Sequence, residues 1–77
     1  MLEKRSVSLS GHRTSIALEP EFWAALEAVA AQNGVALVAL ISRIDETRTP
    51  EQKLASALRV FVLKSSLERN KVDTRSD

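Results

Sequence analysis

Seventy-seven residues, 44% of them hydrophobic and 27% charged, with two glycines and two prolines, describe one small folded domain. No cysteine and a single histidine exclude disulfides, thiolate zinc and a protein-built metal cage, so no metal or other cofactor is expected. A net charge of +1 marks no partner by itself. A core of this size rarely supplies more than about 3–5 kcal/mol unaided, which leaves association with a second copy as the expected staple.

Residues 1–11 read as a flexible basic arm. Met1-Leu2-Glu3-Lys4-Arg5 runs into polar Ser6–Ser10 rather than an apolar signal core. No apolar run reaches the roughly 20 residues that span a bilayer. A cytoplasmic protein without a membrane partner is expected. Lys4, Arg5 and Arg13 against Glu3 give residues 1–18 a net +2.

From Arg13 to Leu18 the sequence alternates, with Ile16 and Leu18 on one parity and Arg13, Ser15 and Ala17 on the other. That period of two predicts a short half-buried strand. Glu19-Pro20 stops it and opens a helix, proline being suited to the first helical position. Phe22, Leu26, Val29 and Ala30 make one apolar stripe, Glu19 and Glu21 suit the positive end of the dipole, and Asn33-Gly34 ends the helix. A second helix from near Ala36 to Thr47 carries Leu37, Leu40, Ile41 and Ile44 on one face. Residues 19–47 hold Arg43 against Glu19, Glu21, Glu27, Asp45 and Glu46, a net −4.

Thr49-Pro50-Glu51-Gln52 predicts a third helix with Thr49 as its cap and Pro50 as its first residue. Its stripe is Leu54, Leu58, Phe61 and Val62, and residues 48–67 form this element. Residues 68–77 are expected as a frayed polar tail. The stretch 48–77 is net +3, so basic ends flank an acidic middle. A polyanion would meet the ends.

One strand among three helices cannot satisfy its own backbone, and an unpaired edge is a liability. The expectation is therefore a homodimer whose strands pair antiparallel about a two-fold axis. Ile16, Leu18, Phe22, Trp23, Leu26, Leu40, Ile41 and Ile44 are the expected dimer core. Arg13, Ser15 and Ala17 would point away from it. The major groove of DNA, about 12 Å wide, admits such a two-stranded ribbon. Arginine reads guanine, serine meets either kind of base edge, and an alanine methyl can touch thymine.

Strand, proline-initiated helix, glycine turn and second helix, over about residues 12–47, resemble the ribbon-helix-helix (Arc/MetJ-like) family of bacterial DNA-binding proteins. The chain is most similar to short bacterial members with a Gly-His-Arg-Thr-Ser start and a Leu-Glu-Pro-Glu-Phe-Trp segment. Here these are Gly11–Ser15 and Leu18–Trp23. Ala57-Leu58-Arg59-Val60-Phe61-Val62-Leu63 also has a familial look. The resemblance implies a mainly α fold of one strand and two helices, with the third helix as an addition. It also implies base reading by Arg13, Ser15 and Ala17, and phosphate clamping by the backbone amides of Leu37 and Val38. Ala36 stands where members often have serine or threonine, and Ala17 where many have a longer side chain.

Lys4, Arg5 and His12 are further candidates for phosphate contact. No second histidine or carboxylate pattern accompanies His12, no serine has nucleophile-elbow spacing, and Gly11 and Gly34 make no phosphate loop. The expectation is not an enzyme but a homodimeric, sequence-specific regulator of bacterial transcription at the nucleoid. One alternative is an antitoxin-like module that binds DNA by the ribbon and a partner protein by the third helix. The other is a helical interaction module without DNA binding. The third helix could bury its stripe on its own dimer, on a second dimer or on another protein.

Overall fold

The computed structural model describes the backbone of residues 1–75 and the side chains of residues 1–69. The order is β1 (Glu3–Leu9), β2 (His12–Leu18), α1 (Pro20–Gln32), α2 (Leu37–Thr47) and α3 (Leu54–Arg75). A hairpin followed by three helices is the ribbon-helix-helix arrangement with a helix added.

The segment expected to be a flexible arm is a strand. Residues Glu3–Leu9 pair antiparallel with β2, in a register that sets Leu9 against His12, Ser6 against Ser15 and Glu3 against Leu18. Ser10 and Gly11 join the strands, both with positive φ (51° and 81°). That is the signature of a two-residue type I′ turn, whose twist matches that of paired strands. The lone-strand argument for a second copy therefore lapses, since β2 finds its first partner in its own chain.

Inward parity explains why β1 holds. Val7 and Leu9 face the core with Ile16 and Leu18. Glu3 and Arg5 share that parity and are satisfied locally. Arg5 donates Nε to Glu3 Oε2 at 2.6 Å and Nη1 to Glu27 Oε2 at 2.7 Å. Its guanidinium lies 4.6 Å over the Trp23 ring. Trp23 Nε1 donates to the Glu3 carbonyl at 2.8 Å, which ties the strand to α1.

Glu19 is extended (φ −60°, ψ 146°) and Pro20 is the first helical residue of α1. At the other end Gly34 adopts φ 66°, while the Val35 amide donates to the Ala30 carbonyl and the Gly34 amide to Ala31. These two bonds are a Schellman closure, which satisfies carbonyls the helix would leave open. The chain bends by 101° between α1 and α2.

The third helix begins later than expected. Thr49–Gln52 forms a single turn, and α3 starts at Leu54. Arg48 braces the segment between α2 and α3. It donates Nη1 to the Gln52 carbonyl at 2.7 Å while its Nε holds Asp45 at 2.7 Å, which ties the intervening turn to the end of α2. At the far end α3 runs through Arg75, so the expected frayed tail is helical backbone as far as it is described. Ser76 and Asp77 lie outside the described residues.

One chain buries a core of its own. Ile16, Leu18, Trp23, Leu26, Leu40, Ile41 and Ile44, expected at a dimer interface, are buried together with Leu9, Ala30, Ala57 and Leu58. Phe22 is half-buried at its edge. Burial of the inward stripe of α3, Ala57 and Leu58 with Leu54 and Phe61 against them, assigns that face to the chain itself. Among the described residues, no single helix is long and apolar enough to cross a membrane.

Candidate nucleic-acid interface

Side chains alternate across a strand, so the hairpin has one face against the helices and one against solvent. The outward row of β2 is Arg13, Ser15 and Ala17. Opposite them on β1 stand Ser8, Ser6 and Lys4, in that order. Five of the six are exposed and Ala17 is half-buried. The sequence predicts a two-stranded platform of one strand from each of two chains; here both strands come from one chain.

This face carries two cations and three hydroxyls and has no carboxylate. Glu3, the acidic residue of the hairpin, lies on the inward parity and is held by Arg5. Positive charge, hydroxyl donors and one methyl are the chemistry that phosphates and base edges take.

The remaining candidates divide. Lys4 joins the outward row. Arg5 does not: the hydrogen bonds it donates to Glu27 and then to Glu3 raise its pKa further, and its charge is paired with α1. The structure thus places Arg5, expected as a phosphate contact, in a clasp between β1 and α1. His12 sits exposed at the hairpin end, on the parity opposite to Arg13. Leu37 and Val38 open α2 behind Ala36, where no side chain caps the helix and no acidic residue occupies the first turn. Their amides are those an α-helix leaves without internal partners, and the dipole makes that end attractive to anions. The alternation of Lys4, Ser6 and Ser8 was the unread signal for the β1 half of the face.

Beside the free edge of β2 lies an open cleft of about 500 Å³, lined by Thr14, Ile16, Arg48, Lys53 and Leu54 among others. In a hairpin closed by two residues the pair flanking the turn exchanges both hydrogen bonds, and alternate pairs do so thereafter. By that alternation the backbone groups of Arg13, Ser15 and Ala17 point away from β1, with Ser15 and Ala17 lining this cleft.

Fold and face together define a small binding module whose exposed ribbon suits a nucleic acid. The chain belongs to the ribbon-helix-helix domain family, which matches over residues 2–66. That span takes in both strands, α1, α2 and most of the described α3. The family is one of non-catalytic DNA-binding domains, so this is a DNA-binding module and not an enzyme. No curated protein and no solved structure matches the chain.

Proposed function

We propose that the protein is a homodimeric, sequence-specific DNA-binding regulator of transcription, and that its hairpin face enters the major groove. Arg13, Ser15 and Ala17 read base edges, Lys4 meets phosphate, and the amides of Leu37 and Val38 fix the register on the backbone. The observation that carries this reading is the outward face of the hairpin: Lys4, Arg13, three serines and an alanine, with no carboxylate. The open edge of β2 gives the dimer its geometry. A second β2 added there would pair about Ser15, setting Arg13 of one copy against Ala17 of the other. Resemblance to short bacterial members through Gly11–Ser15 and Leu18–Trp23 supports a bacterial regulator acting in the cytoplasm at the nucleoid.

The test is selection from a randomised duplex library by the wild type and Arg13→Ala, with sedimentation of each. A selected palindromic or tandem site, bound by a dimer, is expected. Arg13→Ala should lose about 1–3 kcal/mol at one base position. A wild type that selects no sequence and shows a flat salt dependence would favour a helical interaction module.

A second reading has its own observation. Val60, Leu63 and Leu67 form an exposed stripe on α3, with Leu63 and Leu67 each 57% exposed. An antitoxin-like module would use it to hold a partner protein while the ribbon stays on DNA.

A further inference from the structure

We propose that β1 is a phosphate-gripping strand: Lys4, Ser6 and Ser8 close on the walls of the groove while β2 reads between them. This rests on the ribbon reading above and assigns β1, as a unit, a task distinct from that of β2.

Register supplies the first support. Lys4, Ser6 and Ser8 stand directly opposite Ala17, Ser15 and Arg13, so the two rows present themselves to the same surface one strand apart. The second support is which edge is open. Beside β2 lies a cleft with room for a second strand, while Trp23 and Glu27 fasten the inward row of β1 to α1. A second copy entering at the cleft leaves β1 outermost on both sides. Lysine on an outer strand also discourages further pairing there.

Width then separates the two tasks. Four strands at a spacing of about 4.8 Å put the outer backbones about 14 Å apart. The groove is about 12 Å wide. The central pair therefore faces the base edges, and the β1 rows come against the sugar-phosphate walls. Their chemistry fits. Lysine offers a compact charge and serine a rotatable donor, both common on phosphate oxygens, while the forked guanidinium of Arg13 lies on the reading strand. Fastening by Trp23 and Arg5 holds the row at a fixed height.

The experiment measures binding of the wild type, Lys4→Ala, Lys4→Gln and the double variant Ser6→Ala/Ser8→Ala to a selected duplex and a scrambled one, against salt. These side chains are exposed, and circular dichroism checks that each variant keeps the wild-type fold. Removing one lysine per copy should lower the slope of log affinity against log salt by about 2 per dimer. Affinity should fall on both duplexes alike, so that the ratio between them stays put, while Arg13→Ala collapses that ratio. The serine variant should weaken both duplexes equally. An unchanged slope with Lys4→Ala and Lys4→Gln, or a changed selected sequence, would overturn the assignment while leaving the ribbon reading intact. A wild type that selects no sequence removes the ribbon reading, and this inference with it.

Discussion

Arg5 stacks on Trp23 at 4.6 Å and reaches past it to Glu27 on the same helix. A residue near the chain start, whose basic character suggests a free arm reaching for phosphate, instead clips β1 onto α1. Replacing it should act on the fold and not on the contact. Arg5→Ala is expected to lower the thermal unfolding midpoint while leaving the salt slope of DNA binding at the wild-type value. A lowered slope would return Arg5 to the interface.

Leu26 is fully buried at the centre of the core. Truncating such a leucine costs about 2–5 kcal/mol, and a domain of this length holds about 3–5 in all. Leu26→Ala should therefore populate the unfolded state substantially at room temperature. A urea titration followed by circular dichroism would show a midpoint near zero denaturant.

The hairpin turn makes a finer prediction. Gly11 has φ 81° with nothing near the position a Cβ would take, so the cost of Gly11→Ala is conformational alone. Left-handed backbone costs a non-glycine residue about 1–2 kcal/mol. Ser10, at φ 51°, already bears such a cost. Ser10→Asn should recover part of it, because asparagine tolerates that region and favours the type I′ turn. Thermal melts of the two variants should move in opposite directions.

Glu19 joins the strand to α1 and accepts a hydrogen bond from Arg59 Nε at 3.0 Å. Its own backbone amide, and then Arg59, hold its carboxyl below the usual glutamate range. A lowered folded pKa means that the unfolded state takes up the proton first as pH falls. The stabilisation is thus full above the ordinary glutamate value and lost as pH drops through the lowered one. Glu19→Gln should flatten that part of the acid unfolding curve and leave the rest of it in place.

Pro20 and the Asn33-Gly34 ending made α1 readable, and the i, i+3, i+4, i+7 spacing of Leu37, Leu40, Ile41 and Ile44 did the same for α2. Ile16 and Leu18 gave away β2. Its partner was hidden because Glu3 and Arg5 occupy inward positions that a period-of-two reading expects to be apolar. Only Trp23 and Glu27, some twenty residues on, make those charges acceptable there. The dipeptide Ser10-Gly11 was the local sign of a turn. Thr49-Pro50 had the form of a helix start, but it opens a single turn that Arg48 braces by reaching a carbonyl four residues ahead, a detail no spacing rule contains. Half of the candidate face, Arg13, Ser15 and Ala17, followed from parity alone. The other half required knowing that β1 is a strand.

A core that closes within one chain separates two equilibria that an intertwined dimer would fuse. A chain that buries such a core by itself is expected to unfold at a midpoint nearly independent of protein concentration, which thermal melts over a dilution series would check. Assembly is left free to answer to copy number. On the proposed dimer reading, occupancy of a DNA site would then rise with the square of the single-chain concentration.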